Sequence, residues 1–160
     1  MSEDHGYENY WSITDSEWNV IKKYRGVNRF KCAALLKYYQ IEGCFPEKFS
    51  DIPEIGRKAL SSQISSTDNI DPAYDYLDAT GRRQRADIRE YCDFRTSVQA
   101  DYDAATLFLV EQAFDDFNAE NSLPQLLKQW FHDRKIERPT VLREERILNA
   151  VRTSLEDQRY

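Results

Sequence analysis

No stretch of this 160-residue chain alternates polar and apolar residues over six or more positions, whereas apolar residues recur at spacings of three and four along most of it. Alternation is what a half-buried strand requires, and spacings of three and four put side chains on one face of a helix. The chain is therefore expected to be all-α. Start and stop signals agree with this. Thr14 and Glu17 have capping-box spacing, in which the hydroxyl and the carboxylate each accept from the other's backbone N–H. That helix is expected to run to about Tyr24, with Trp18 and Ile21 inward. After Gly26, the residues Val27, Phe30, Ala34, Tyr38 and Ile41 share a face, and Gly43 and Pro46 stop the helix. A third helix is expected from a Ser50/Asp51 cap, with Pro53 in its first turn, through Ile55, Ala59, Leu60 and Ile64.

The polar, acidic stretch SSTDNIDPAYDYLDATG reads as a linker holding one short helix begun by Asp71 and Pro72, and it places a domain boundary near residue 75. Four more helices are expected beyond it. Thr80 opens one with Ile88, Tyr91 and Cys92 as its apolar stripe. The next, about 97–117, carries Leu107, Val110, Phe114 and Phe117 on one face. Ser122 and Pro124 open a helix with Leu126, Leu127, Trp130 and Phe131, and Thr140 opens a last one with Val141, Leu148 and Leu155 every seventh residue. The expected architecture is two small helical units, residues 1–75 and 76–160, in a helix-turn-helix-like arrangement.

Chemistry has little material. The three cysteines, Cys32, Cys44 and Cys92, fit neither a disulfide framework nor, with only His5 and His132 to add, a zinc site. Two histidines do not furnish a catalytic triad, and there is no Gly-rich phosphate loop. Asp101, Asp103, Asp115 and Asp116 are of a type that binds divalent metal, though an exposed acidic helix face accounts for them as well. No cofactor, no metal and no catalytic residue are expected. No run approaches 18 apolar residues and the N-terminus lacks the marks of a signal peptide, so a soluble, cytoplasmic chain without a membrane partner is expected.

Charge is more informative. Lys and Arg number 22 against 28 Asp and Glu, a net −6, but the total conceals segregation. Residues 1–20 hold five acids and no Lys or Arg; residues 21–37 hold six bases and no acid; residues 96–121 hold six acids and no base. A basic face on an acidic chain still suits a polyanion, with modest affinity that is strongly salt-sensitive. Arg82, Arg85 and Arg89 recur at helical spacing with Arg83 and Arg95 nearby, a pattern able to follow successive phosphates. Arg25 and Arg29 form a second cluster, with Lys22 and Lys31 alongside. Arg57, Lys58, Ser61 and Ser62 on the third helix suit phosphates or base edges. Arg143 and Arg146 sit near the start of the last helix, where backbone amides also favour phosphate. A solvated helix face shows the same spacing, so both readings stay open from the residues alone.

Longer segments add a resemblance. RGVNRFKCAALLKYYQIEGCFPEKFSDIP resembles the opening of the N-terminal region of Tn-three-family transposases, the large enzymes of replicative class II transposons: an RG-x-NR turn, an aliphatic and aromatic helix ending in EG-x-FP, and a stretch closing in IP. GRRQRADIREYCDFR is similar to that family's Arg-rich helix, and IERPTVLREERILNAVR to its I-x-PT-x(2)-R-x-ER segment. The three segments follow the family's order and span about 18–152. Departures are Leu77 and Asp78 where the family often has Trp, and Gln84 where it has His. The resemblance implies a non-catalytic N-terminal region that reads the transposon's terminal inverted repeat in double-stranded DNA, with the catalytic acids in a separate RNase H-like domain, so that this chain is a fragment or a truncated relative. It implies DNA contacts for Arg25, Arg29, Arg82, Arg85, Arg89, Arg95, Arg143 and Arg146, self-association through the rest of the transposase, and a place on the bacterial nucleoid. Arg89 and Asn28 also suit structural roles, in a carboxylate pair and a helix cap. The rival expectation is a protein-interaction or regulatory module that uses the acidic face from Asp101 to Glu120.

Overall fold

The computed structural model describes residues 10–64 and 78–159. Seven α-helices carry these residues, and among them the nearest thing to a sheet is one isolated parallel bridge between Arg95 and Ile136. The fold is all-α, as the spacing predicted. The short helix expected at Asp71 and Pro72 lies outside the described residues.

Two compact units divide between Asp93 and Phe94. The first holds α1 (Asp15–Ile21), α2 (Val27–Glu42), a 3-10 turn (Phe49–Asp51), α3 (Glu54–Ile64) and α4 (Ala79–Cys92). The capping box is present: Thr14 Oγ1 accepts from the Glu17 N–H at 3.2 Å, and the Glu17 carboxylate accepts from the Thr14 N–H at 2.8 Å. Gly26, at φ 58°, turns the chain into α2, and Gly43 ends that helix at φ 75°, both in the left-handed region that side chains avoid. The periodicity of α2 predicted a single apolar face, but every residue from Phe30 to Lys37 is buried. The reason is tertiary: α1, α3 and α4 all pack on α2, which becomes the axis of the unit. Trp11 is fully buried over α3, where it lies so close to Gly56 that a Cβ there would overlap its indole ring. Gln63 ties the same segment down, donating to the Trp11 carbonyl and accepting from the Ile13 N–H, each at 2.8 Å.

The boundary expected near residue 75 therefore falls too early. The linker before helix α4 suggests the second unit for it, yet it buries Gly81, Gln84 and Ile88 within the first. An amphipathic helix goes to whichever surface covers its apolar stripe, and a polar linker does not say which side that is.

The second unit holds α5 (Gln99–Asp115), a 3-10 turn (Phe117–Ser122), α6 (Leu123–Asp133) and α7 (Val141–Arg159). Ala105, Leu109, Val110 and Ala113 of α5 meet Leu123, Leu127, Trp130 and Phe131 of α6 and Ile147, Val151 and Leu155 of α7, with Ile136 in the same core. The heptad expected on α7 is replaced by a row at every fourth residue, so Val141 is exposed and Leu148 only half-buried. No helix among the described residues is long and apolar enough to cross a membrane.

Candidate nucleic-acid interface

The turn between α1 and α2 is built by its own basic residues. The Arg29 guanidinium donates from Nε to the Tyr24 carbonyl at 2.8 Å and from Nη2 to the Lys22 carbonyl at 3.2 Å. It thereby satisfies carbonyls of the turn that follows α1, and its fork is engaged in holding that turn. Lys22, Lys23 and Arg25 are left on the outside, all exposed.

Helix α4 docks on that turn. Tyr24 Oη donates to Asp87 Oδ2 at 2.7 Å, and Gln84 Nε2 donates to the Asn28 carbonyl at 2.8 Å. Burial, and then the bond to Asp87, push the Tyr24 phenol well above its ordinary pKa, so it stays a donor at any physiological pH. Two basic clusters that lie more than fifty positions apart in the chain are thus brought into one unit. On α4, Arg82 and Arg83 are exposed and Arg85 is half-buried, while the Arg89 guanidinium lies over the Phe45 ring, 5.2 Å from its centroid. Asp78 caps the helix, its carboxylate accepting from the Gly81 N–H at 2.7 Å. That bond, followed by the charges of Lys31, Arg82 and Arg85, holds Asp78 below the usual carboxylate range.

Residues 2–151 match a family described as a domain of unknown function, DUF4158. The chain belongs to the DUF4158 family. No curated protein matches it. The match spans residues of both units of this DUF4158 chain.

Lys31 was expected beside Arg25 and Arg29 on an outward face. The structure corrects this: its side chain is fully buried, with Nζ 3.8 Å from Asp78 Oδ1. It lies on the stretch of α2 that neighbouring helices enclose, and a spacing rule that assumes one solvent face misplaces it. Lys58 is exposed and pairs with Glu54 one turn away at 3.2 Å, an interaction worth about 0.3–0.5 kcal/mol that leaves the amine available. Arg57 and Ser61 are half-buried, and the Ser62 hydroxyl donates back to the Lys58 carbonyl at 3.2 Å.

In the second unit Arg95, expected among the DNA contacts, is paired within the protein. Its guanidinium grips both oxygens of Asp101, at 2.6 and 2.8 Å, and its backbone bridges to the segment around Ile136. Asp101 also accepts from the Val98 N–H at 2.8 Å, so the pair fixes the start of α5. The hydrogen bonds from Arg95 hold the Asp101 carboxyl below its ordinary range. Arg143 is half-buried, 5.0 Å from the centroid of Tyr102, and Arg146 is exposed. The acids proposed for metal binding do not converge: Asp103 accepts from Gln99, Asp116 caps the following turn at Asn118, and no group of three or more His, Cys, Asp or Glu able to hold a metal is found among the described residues.

Two pairings are missing from the sequence reading. Tyr24 and Asp87 join the two basic clusters, and Arg138 forms a half-buried fork on Glu144, with Nη2 at 3.0 and 3.2 Å from the two oxygens. The Arg138 pair had a signal in its six-residue separation across the Thr140 helix start. Nothing local marks Tyr24 and Asp87 as partners.

Proposed function

We propose that this chain is a non-catalytic DNA-binding region of a transposase of the Tn-three type, directed at the terminal inverted repeat of its element. The observation that carries the reading is the docking of the α1–α2 turn on α4 through Tyr24–Asp87 and Gln84–Asn28, which gathers Lys22, Lys23, Arg25, Arg82 and Arg83 on the first unit. Membership of a family found in transposase-associated proteins supports it, as do the three ordered segments that resemble the Tn-three N-terminal region. In this reading the exposed arginines of α4 approach base edges or phosphates, Lys22, Lys23 and Arg25 hold the backbone alongside, and Arg143 and Arg146 supply a second set of contacts from the other unit. Catalysis belongs to a separate domain of the parent transposase. Arg29, Arg89 and Arg95 act by shaping the protein, because their guanidinium groups are already committed to carbonyls, a ring and a carboxylate.

Fluorescence anisotropy on a duplex from the element's own ends and on a scrambled duplex, across a salt series, tests the proposal. We expect tighter binding to the authentic end and a log–log salt slope that falls by about 0.9 for each phosphate contact removed. Arg82→Ala or Arg83→Ala should weaken binding by about 1–3 kcal/mol where the residue reads a base, and evenly across sequences where it holds phosphate. Lys31→Met, inside the unit, should leave affinity unchanged. Equal affinity for both duplexes sinks terminal-repeat recognition, and indifference to Arg82 and Arg83 sinks the interface.

A further inference from the structure

The apolar face of helix α5 is wider than the part its own unit buries. One side, through Ala105, Leu109, Val110 and Ala113, closes the core of the second unit. Next to Val110, on the solvent edge of that face, lie Leu107, 61% exposed, and Phe114, 65% exposed, two helical turns apart, with Phe117 just past the helix end at 74%. The sequence pattern puts these three with Val110 on one face; the structure buries Val110 and leaves the other three more than half exposed. A single exposed leucine calls for no explanation, whereas a row of large apolar side chains marks a contact surface. The segment itself supplies acids, while from outside the helix the exposed Arg134 guanidinium lies over Phe108, 5.8 Å from its ring centroid. Asp103, Glu111, Asp115 and Asp116 are exposed around the row, and no Lys or Arg occurs between Thr96 and Asn121.

We propose that this row is a docking surface for a basic amphipathic helix of another protein chain, whose apolar stripe covers Leu107, Phe114 and Phe117 while its Lys and Arg meet the four acids. Charge complementarity selects that occupant. A second copy of this chain related by a two-fold axis would set acid against acid. Nucleic acid and anionic lipid surfaces are repelled for the same reason. The face shares no residue with the interface proposed for DNA, so the two proposals stand or fall separately, and both can hold in one protein.

The probe is a fluorescein-labelled amphipathic peptide of Leu and Lys, about 18 residues long so that it forms a helix on contact, titrated into the full chain. Two controls accompany it: a peptide of the same composition with its Leu scattered, and a Leu/Glu peptide. We expect micromolar binding of the Leu/Lys helix, with both controls weaker by about ten-fold or more. Phe114→Ser with Phe117→Ser should weaken it by about ten-fold, and Asp115→Lys with Asp116→Lys by several-fold, the latter difference shrinking in high salt. These positions are exposed, and unchanged circular dichroism and melting confirm that the variants fold. Arg82→Ala leaves peptide binding unchanged. The proposal is overturned by peptide binding that survives Phe114→Ser with Phe117→Ser, by equal binding of the scattered peptide, by absence of binding, or by sedimentation showing that the wild-type chain self-associates and this variant does not.

Discussion

Replacing Lys37 with Met probes the buried charge that fastens α1 to α2 and so holds the basic turn between them. Glu17 is 3% exposed and Lys37 5%. The carboxylate of Glu17 accepts from Lys37 Nζ at 2.7 and 2.9 Å, from Gln40 Nε2 at 2.6 Å and from the Thr14 N–H at 2.8 Å. Burial alone would raise its pKa; these donors, Lys37 first among them, outweigh burial and bring it below the ordinary value. Breaking a buried pair by removing one partner costs about 3–5 kcal/mol. Two donors survive in Lys37→Met and the orphaned carboxyl can take up a proton, so we expect about 2–4 kcal/mol at pH 7, toward the lower part of that range. Urea unfolding followed by tryptophan fluorescence measures it, in a Trp130→Phe background where Trp11 and Trp18 report on the first unit. The pH dependence gives a sharper test. In the wild type, the contribution of Glu17 is present above its unfolded pKa of ~4.3 and is lost as pH falls through the lower folded value. In Lys37→Met the folded pKa lies above the unfolded one, so the sign reverses, and the deficit relative to wild type shrinks as pH falls from 7 toward ~4.3. Adding Glu17→Gln, which keeps the capping geometry and removes the buried charge, should recover part of the loss. A cost under about 1 kcal/mol with a wild-type pH profile would refute the reasoning.

Gly56→Ala should lower the urea midpoint of the first unit by the equivalent of about 1–3 kcal/mol, since its Cβ meets the fully buried Trp11 ring; an unchanged midpoint contradicts that packing. Burial pushes the Cys32 thiol up to about 12 and Cys92 to about 11. At pH 8 both should therefore react with iodoacetamide far more slowly in the folded chain than in urea, as read by mass spectrometry, and rapid native labelling of Cys32 would contradict its place in α2. Arg95→Ala should lower the melting temperature of the second unit without altering DNA affinity, and a fall in affinity with unchanged melting would return Arg95 to the interface.

Helix existence and much of helix punctuation were legible because they are local. Thr14 and Glu17 satisfy each other across one turn, Gly26 and Gly43 take backbone angles other residues avoid, and α6 buries Leu127, Trp130 and Phe131 as the spacing required. Faces were less legible. Lys31 and the outer residues of α5 show why: spacing finds that a helix has an apolar side, but the number of neighbours that enclose it is set by elements distant in sequence. Of the basic residues, Arg25, Lys58, Arg82, Arg83 and Arg146 are exposed as expected, while Arg29 and Arg95 are drawn into the scaffold by carbonyls and a carboxylate that no local pattern paired with them.

The sequence by itself determined that this protein is helical, where most of its helices begin and end, and that its charges are segregated, since each of these follows from interactions within a turn or two of the chain. Only the tertiary structure decided that α4 belongs to the first unit and that the 22–25 and 82–83 bases share it. The reason is the pair of hydrogen bonds Tyr24–Asp87 and Gln84–Asn28. Bonds across so long a loop depend on closing it, and it is the burial of the apolar stripe of α4 that offsets the entropy of that closure.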